Sequence, residues 1–371
     1  MNNSTDLYTL YGAEFSLYSG KLRSYLRKKP ISFTETHPSI LTYKRFIVPR
    51  TGVRFIPVLQ TPDDEVLQDT TVIIDTLEQR YPANSVYPET PRQKMAALLL
   101  ELFGDEWLLN PAMHYRWHYS TENHSFLYAE FGRLLFPWLP AFLQKLLGKR
   151  IGDRFRGLLP NLGITAETWQ ALETWFESLL GDMEQHFRTH QFLLGGRPTM
   201  ADFGFIGPLY SHIYRDPWSG KMLRERFPGV TGWVERMISD EVYDAPLLMA
   251  DEISASLMSI LQKMAVEQLP VLQDTALKIA AWSEGGENQE LPRKLGMHGV
   301  LINGISTKRV LLPYSVWMFQ RPLDYYFSLE GADRDAVAGM LDEMGARPFF
   351  AEPLKIRLVR RDNRLYLALP D

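Results

Sequence analysis

Phe55-Ile-Pro-Val-Leu-Gln60, then Val66-Leu-Gln68 across the turn residues Thr61-Pro-Asp-Asp64, then Asp69-Thr-Thr-Val-Ile-Ile-Asp-Thr-Leu-Glu-Gln-Arg-Tyr-Pro82: this stretch decides how the first part of the chain folds. Two short apolar runs divided by Pro and Asp residues read as a pair of antiparallel strands. Pro57 breaks the first run, because proline cannot donate to a strand ladder. Immediately afterwards Ile73, Ile74, Leu77 and Tyr81 share one helical face from Thr70 to Tyr81, and Pro82 ends that helix.

Upstream, Leu7-Tyr-Thr-Leu-Tyr11 has a strand's composition, Leu22, Tyr25 and Leu26 have helical spacing between Ser19 and Lys29, and Ile31 to Thr36 is a second short strand. The order is β-α-β, a loop, β-β-α. Downstream, from about Thr90 to Tyr243, strand signals give way to helical periods punctuated at Asn110-Pro111, Pro160-Asn161, Gly195-Gly196 and Phe227-Pro228-Gly229. Within that region Thr199-x-x-Asp202 is a capping box, so Asp202 reads as a folding residue. A helical stretch from Pro246 to Trp282 leads to the polar linker Ser283-Glu-Gly-Gly-Glu-Asn-Gln289. Beyond it come a hairpin turning at Asn303-Gly304, two helix-like stretches and a strand pair, Lys355 to Leu358 and Leu365 to Leu369. The expected division is an α/β domain over 1–83, an all-helical domain over 84–245, and a helical connector with a small α+β tail over 246–371.

The 371 residues carry 40 Lys and Arg against 44 Asp and Glu, a net charge of -4 without a long block of one sign, so nucleic acid is not an expected partner. There is no cysteine, which removes disulfides, thiolate nucleophiles and Cys-ligated metal from the chain's own chemistry. Met1 to Asp6 lacks the basic and apolar regions of a secretory signal, and a cytoplasmic protein is the expectation. The most apolar run, Leu134-Leu-Phe-Pro-Trp-Leu-Pro-Ala-Phe-Leu143, is half the length of about twenty residues that a membrane span needs and holds two prolines. Its ordinary reading is buried core; a substrate wall, a dimer contact or a membrane-surface contact are the alternatives.

Four segments, in this order, resemble the glutathione transferase superfamily: Phe15-Ser-Leu-Tyr-Ser-Gly-Lys-Leu-Arg23, Phe55-Ile-Pro-Val-Leu59, Gln68 to Pro82, and Phe192-Leu-Leu-Gly-Gly-Arg-Pro-Thr-Met-Ala-Asp-Phe203. The resemblance covers about two-thirds of the chain. It implies a thioredoxin-like N-terminal domain and a helical C-terminal domain. It also implies roles for particular residues. Ser16 stands where zeta-like and omega-like members carry the Ser or Cys that faces the glutathione sulfur. Ile56, ahead of a cis Pro57, would pair through its backbone with the cysteinyl part. Thr70 and its helix start would hold the γ-glutamyl carboxylate, and Asp69 the ammonium. Taken singly, Ser16, Asp69 and Thr70 are also ordinary helix caps. Lys44, Arg45 and Arg54 are the nearby cations for the glycyl carboxylate.

Asp105 to Tyr119 is rich in ionisable and aromatic groups, and Trp107, His114, Arg116 and Trp117 are read either as a second-substrate wall or as packing. His114 and His118 lie one turn apart with no clear third ligand, so no metal is expected. The function implied is a serine-type transferase that ionises the thiol of bound glutathione for attack on a small electrophilic or hydrophobic substrate. Without cysteine it is not expected to work through a mixed disulfide. A non-catalytic interaction or structural module is the alternative, and the reading leaves a homodimer open.

Overall fold

The computed structural model describes residues 7–283 and 289–368. Residues 284–288 of the expected linker and Leu369 of the last expected strand lie outside them. The chain forms two compact units, each drawn from separated segments. No helix among the described residues is long and apolar enough to cross a membrane.

The first unit comprises residues 7–86, 112–158 and 205–244. Its sheet has the order β2-β1-β3-β4, with β1 Tyr8–Tyr11, β2 Phe33–Thr36, β3 Val58–Gln60 and β4 Val66–Gln68. β1 runs parallel to β2 and antiparallel to β3, and β3 antiparallel to β4, the thioredoxin-like arrangement. Helices α1 (Leu17–Lys28) and α2 (Thr70–Arg80) cover it with fully buried Leu22, Leu26, Ile73, Ile74 and Leu77. Each such side chain stabilises the fold by about 1.5–3 kcal/mol.

Two expectations need adjustment. β3 starts at Val58 rather than Phe55, because Pro57 has no N–H for the ladder; the Ile56–Pro57 peptide is cis. The presumed loop after β2 is helical over 40–51, with a π-helical turn at Tyr43–Ile47 that ends on left-handed Gly52 (φ 70°). The other helices of this unit include Ser120–Leu135, Ala141–Arg156, Pro217–Arg226 and Pro228–Ile238. α1 is tied to the last of these by the Ser24 hydroxyl, which donates to the Met237 carbonyl at 2.7 Å.

The second unit comprises residues 87–111, 159–204, 245–283 and 289–368. The capping box forms as read: Asp202 accepts from the Thr199 N–H at 2.9 Å and hydroxyl at 3.1 Å, and its other oxygen accepts from Leu193 N–H. The tail holds two hairpins, β5 Met297–Ile302 with β6 Ile305–Val310, and β7 Arg357–Arg361 with β8 Arg364–Ala368. Both turn on residue pairs with positive φ, Asn303-Gly304 (45°, 79°) and Asp362-Asn363 (47°, 61°), as two-residue hairpins demand. The tail shares a core with the preceding helix Leu269–Trp282, where Ala276 and Ile279 meet Leu291, Val316, Ile356, Leu358 and Leu367.

Candidate functional site

Strand register brings the sequence-predicted residues to one end of the first unit's sheet. Tyr11 at the end of β1 pairs with Val58 at the start of β3, and Val58 pairs with Gln68 at the end of β4. The loop leading to Ser16 leaves the first of these strands, Ile56 and Pro57 enter the second, and Asp69 and Thr70 leave the third. Antiparallel pairing thus gathers three segments whose named residues span Ser16 to Thr70 in sequence.

Ser16 is the N-cap of α1, with extended backbone (φ -91°, ψ 123°), and its hydroxyl oxygen accepts from the Ser19 N–H at a long 3.4 Å. It is half-buried, whereas Ser19 is fully buried and accepts from Ala13 N–H at 3.2 Å. A hydroxyl that accepts one N–H still has its own O–H to donate. Capping and thiolate binding are therefore compatible at Ser16. The positive end of α1 adds favourable potential for an anion there.

Asp69 caps α2, accepting from Thr71 N–H at 3.1 Å and Val72 N–H at 3.3 Å, and does so with φ 88°, a conformation uncommon for a residue with a side chain. Thr70 is buried at the first position of that helix. The fully buried Lys21 reaches Thr71 Oγ1 at 3.5 Å, placing its Nζ donor beneath the same helix start. Ile56 is half-buried and lies outside the strand, while Lys44, Arg45 and Arg54 are exposed.

Behind the Ser16 loop is a network that the sequence did not announce. The Arg116 guanidinium donates to both oxygens of the Asp216 carboxylate at 2.7 Å, to the Ser211 carbonyl at 2.7 Å and to the Phe15 carbonyl at 3.0 Å. The Ser211 hydroxyl donates to the Ser16 carbonyl at 3.0 Å. Glu14, next in the loop, accepts from the Tyr210 hydroxyl at 2.8 Å and faces Arg23 at 3.5 Å. Burial pushes the Glu14 carboxyl up, but Arg23, Tyr210 and Arg215 outweigh it and hold it below the usual range. Tyr210 is pushed up to about 12 by burial and by Glu14. Nothing local in the sequence marks Ser211 or Asp216, because their partners lie 95 to 195 residues upstream.

Trp107, His114, Arg116 and Trp117 are all buried, none above 3% exposed. His114 and His118 stack with ring centroids 4.8 Å apart, and among the described residues no cluster of three metal-binding side chains occurs.

Residues 10–85 match the family described as "Glutathione S-transferase, N-terminal domain" and residues 166–236 match "Glutathione S-transferase, C-terminal domain". No curated protein matches the chain. Among solved structures, a glutathione S-transferase from Rhodospirillum rubrum F11 is 14% identical over 68% of this chain and 91% of its own, with a TM-score of 0.41. One from Methylobacterium radiotolerans JCM 2831, solved with glutathione sulfonate, is 17% identical over 66% and 98%, at 0.37. Glutathione transferase GSTFuA3 from Phanerochaete chrysosporium is 16% identical over 64% and 98%, at 0.44. Residues 10–85 and 166–236 are thus similar to the N- and C-terminal domains of glutathione S-transferases, and beyond about residue 240 the chain continues as an additional C-terminal region.

Proposed function

We propose that the protein binds reduced glutathione at the end of the sheet where Ser16, Ile56, Asp69 and Thr70 converge, and transfers its thiolate to an electrophilic carbon of a second, apolar substrate. The convergence itself carries the reading. A zwitterionic γ-glutamyl group needs an anion site and a carboxylate side by side, and the start of α2 with Asp69 offers both. A thiol needs a donor that prefers its ionised form, and the Ser16 hydroxyl at the positive end of α1 is such a donor.

In the reaction the Ser16 O–H donates to the sulfur and the thiol proton passes to solvent. The sulfur lone pair then forms a C–S bond as the leaving group departs, or as the electrophile's double bond takes up a proton. The protein is not covalently modified, in keeping with its lack of cysteine. The test is a thermal-shift titration with glutathione, followed by conjugation assays with aryl halide and epoxide substrates. Saturable stabilisation and glutathione-dependent turnover are expected. An intact fold that glutathione does not stabilise would leave the non-catalytic alternative.

A further inference from the structure

The Leu134 to Leu143 run, read from sequence as core, is not core. Leu134, Leu135 and Phe136 are half-buried, but Trp138 is 52% and Phe142 71% exposed, and Leu146 in the next turn is 58% exposed. The reason is how the helices Ser120–Leu135 and Ala141–Arg156 pack. Gly132 and Gly148 bring them into backbone contact, since a Cβ at Gly148 would overlap the Tyr128 carbonyl and one at Gly132 the Gln144 carbonyl, while Gly152 makes room for the Tyr128 ring. With its glycine face spent on this contact, the second helix turns Phe142 and Leu146 outward.

The outward face has a pattern. Phe142 and Leu146, one turn apart, are flanked on one side by exposed Lys145 and Lys149 and on the other by exposed Arg150 and Arg154. Asp153 is the only acid on the helix, and it is engaged by Lys149 at 2.5 Å and by the Tyr128 hydroxyl at 2.8 Å. Arg150 and Arg154 make no ion pair among the described residues. In a chain of net charge -4 this is a local reversal of sign.

We infer that this hairpin tip is a docking surface for an anionic lipid bilayer, with Trp138, Phe142 and Leu146 entering the interface and the flanking Lys145, Arg150 and Arg154 meeting the headgroups. An apolar stripe bordered by long cationic side chains is what an interfacial helix requires, because the stems of Lys and Arg can lie along the apolar layer with their charges in the headgroups. A second copy is the poorer occupant: a two-fold contact through this face would set the same cations against each other. An acidic polymer would satisfy the cations but leave the apolar stripe in water. This inference stands apart from the glutathione site and does not depend on it.

The experiment is co-sedimentation of the full-length protein with vesicles of phosphatidylcholine alone and of phosphatidylcholine containing phosphatidylglycerol. Binding to the anionic vesicles is expected to exceed that to neutral ones by about tenfold or more, and to fall in about 0.5 M salt. Phe142→Ser/Leu146→Ser and Lys145→Glu/Arg150→Glu change exposed residues only, so each should keep the wild-type melting temperature and glutathione response while losing at least about tenfold in vesicle binding. Wild-type protein that stays in the supernatant with anionic vesicles overturns the inference. So does vesicle binding that both variants retain, and so does a monomer–dimer equilibrium, without vesicle binding, that Phe142→Ser/Leu146→Ser abolishes.

Discussion

Arg116 and Asp216, a hundred residues apart, form a fully buried two-bond ion pair whose remaining guanidinium hydrogens fix the Phe15 and Ser211 carbonyls. Since Ser211 in turn donates to the Ser16 carbonyl, the pair supports the loop that aims the Ser16 hydroxyl. Arg116→Met leaves a buried carboxylate without its counter-ion and should cost about 3–5 kcal/mol in denaturant unfolding. Arg116→Met/Asp216→Leu removes both charges and should recover most of that loss, yet it restores no donor to Phe15. Its glutathione turnover should therefore stay low while its stability returns. Equal recovery of both quantities would show that the pair serves stability alone.

For Ser16 the expected effect is on acidity, not affinity. A charge-assisted hydrogen bond contributes roughly 1.5–3 kcal/mol, so Ser16→Ala should raise the pKa of the bound thiol by about one to two and slow neutral-pH turnover at least about tenfold. Replacing the cap with Ala also costs α1 about 1 kcal/mol, which a modest drop in melting temperature should register. Titration of thiolate absorbance separates the two effects. Coincident curves for wild type and variant would move the thiol contact elsewhere, and the fully buried Ser19 is a poor heir.

The cysteine count adds a negative expectation. Disulfide reduction that runs through a mixed disulfide with the protein needs a protein thiol, and none of the 371 residues supplies one. Mass spectrometry of protein incubated with oxidised glutathione should show no adduct that dithiothreitol releases.

Patterns local in sequence were legible before the structure. The four strands and two flanking helices of the N-terminal sheet, the Thr199–Asp202 box and both hairpin turns follow from alternation, proline, and the Asn-Gly and Asp-Asn turn pairs acting over a few residues. The helical segment over 40–51 was not legible, because Pro38 and Pro49 flank or interrupt it and its π-helical middle has no 3.6-residue apolar period. At the candidate site, the individual residues could be named but their supports could not. Arg116 pairs with Asp216 through tertiary packing, which leaves no short-range trace. Phe142 was misread for the opposite reason: its apolar neighbours implied burial, while the glycines at 148 and 152 had already decided which face would be covered.

Buried histidines give the fold a defined acid sensitivity. His186 is fully buried between Ser256, 2.8 Å from Nδ1, and the Phe192 carbonyl, 3.2 Å from Nε2. Burial, with His190 stacked alongside, lowers its pKa from 6.5 to about 4. The unfolded chain takes up a proton below about 6.5 and the folded one only near 4, so this contribution is complete above 6.5 and is lost as pH falls between those values. It amounts to about 3 kcal/mol. His212, lowered by burial and then by Arg116, acts with the same sign. His186→Gln should therefore show a flatter fall in stability from pH 6.5 to 4 than wild type, measured by urea unfolding. Parallel profiles would exclude His186 as a source.

The C-terminal region should prove inseparable from the second unit. Its Val316, Leu358 and Leu367 close a core with Ala276 and Ile279 of the preceding helix, and Ser315 donates to the Glu106 carboxylate at 2.6 Å. The Arg309 guanidinium also lies over the Trp107 ring at 4.8 Å. Ending the chain near Glu284 would uncover the apolar face of the helix Leu269–Trp282 and leave polar partners behind, so the truncated protein should be poorly soluble. Because that variant can fail to fold altogether, Leu358→Ala in the full chain is the quantitative test. With Leu358 at 1% exposure, the substitution should cost about 2–5 kcal/mol and lower the melting temperature, while glutathione, at the site proposed in the first unit, should still stabilise the protein. A soluble truncation with an unchanged melting temperature, together with a neutral Leu358→Ala, would make the tail an independent appendage and contradict the shared core.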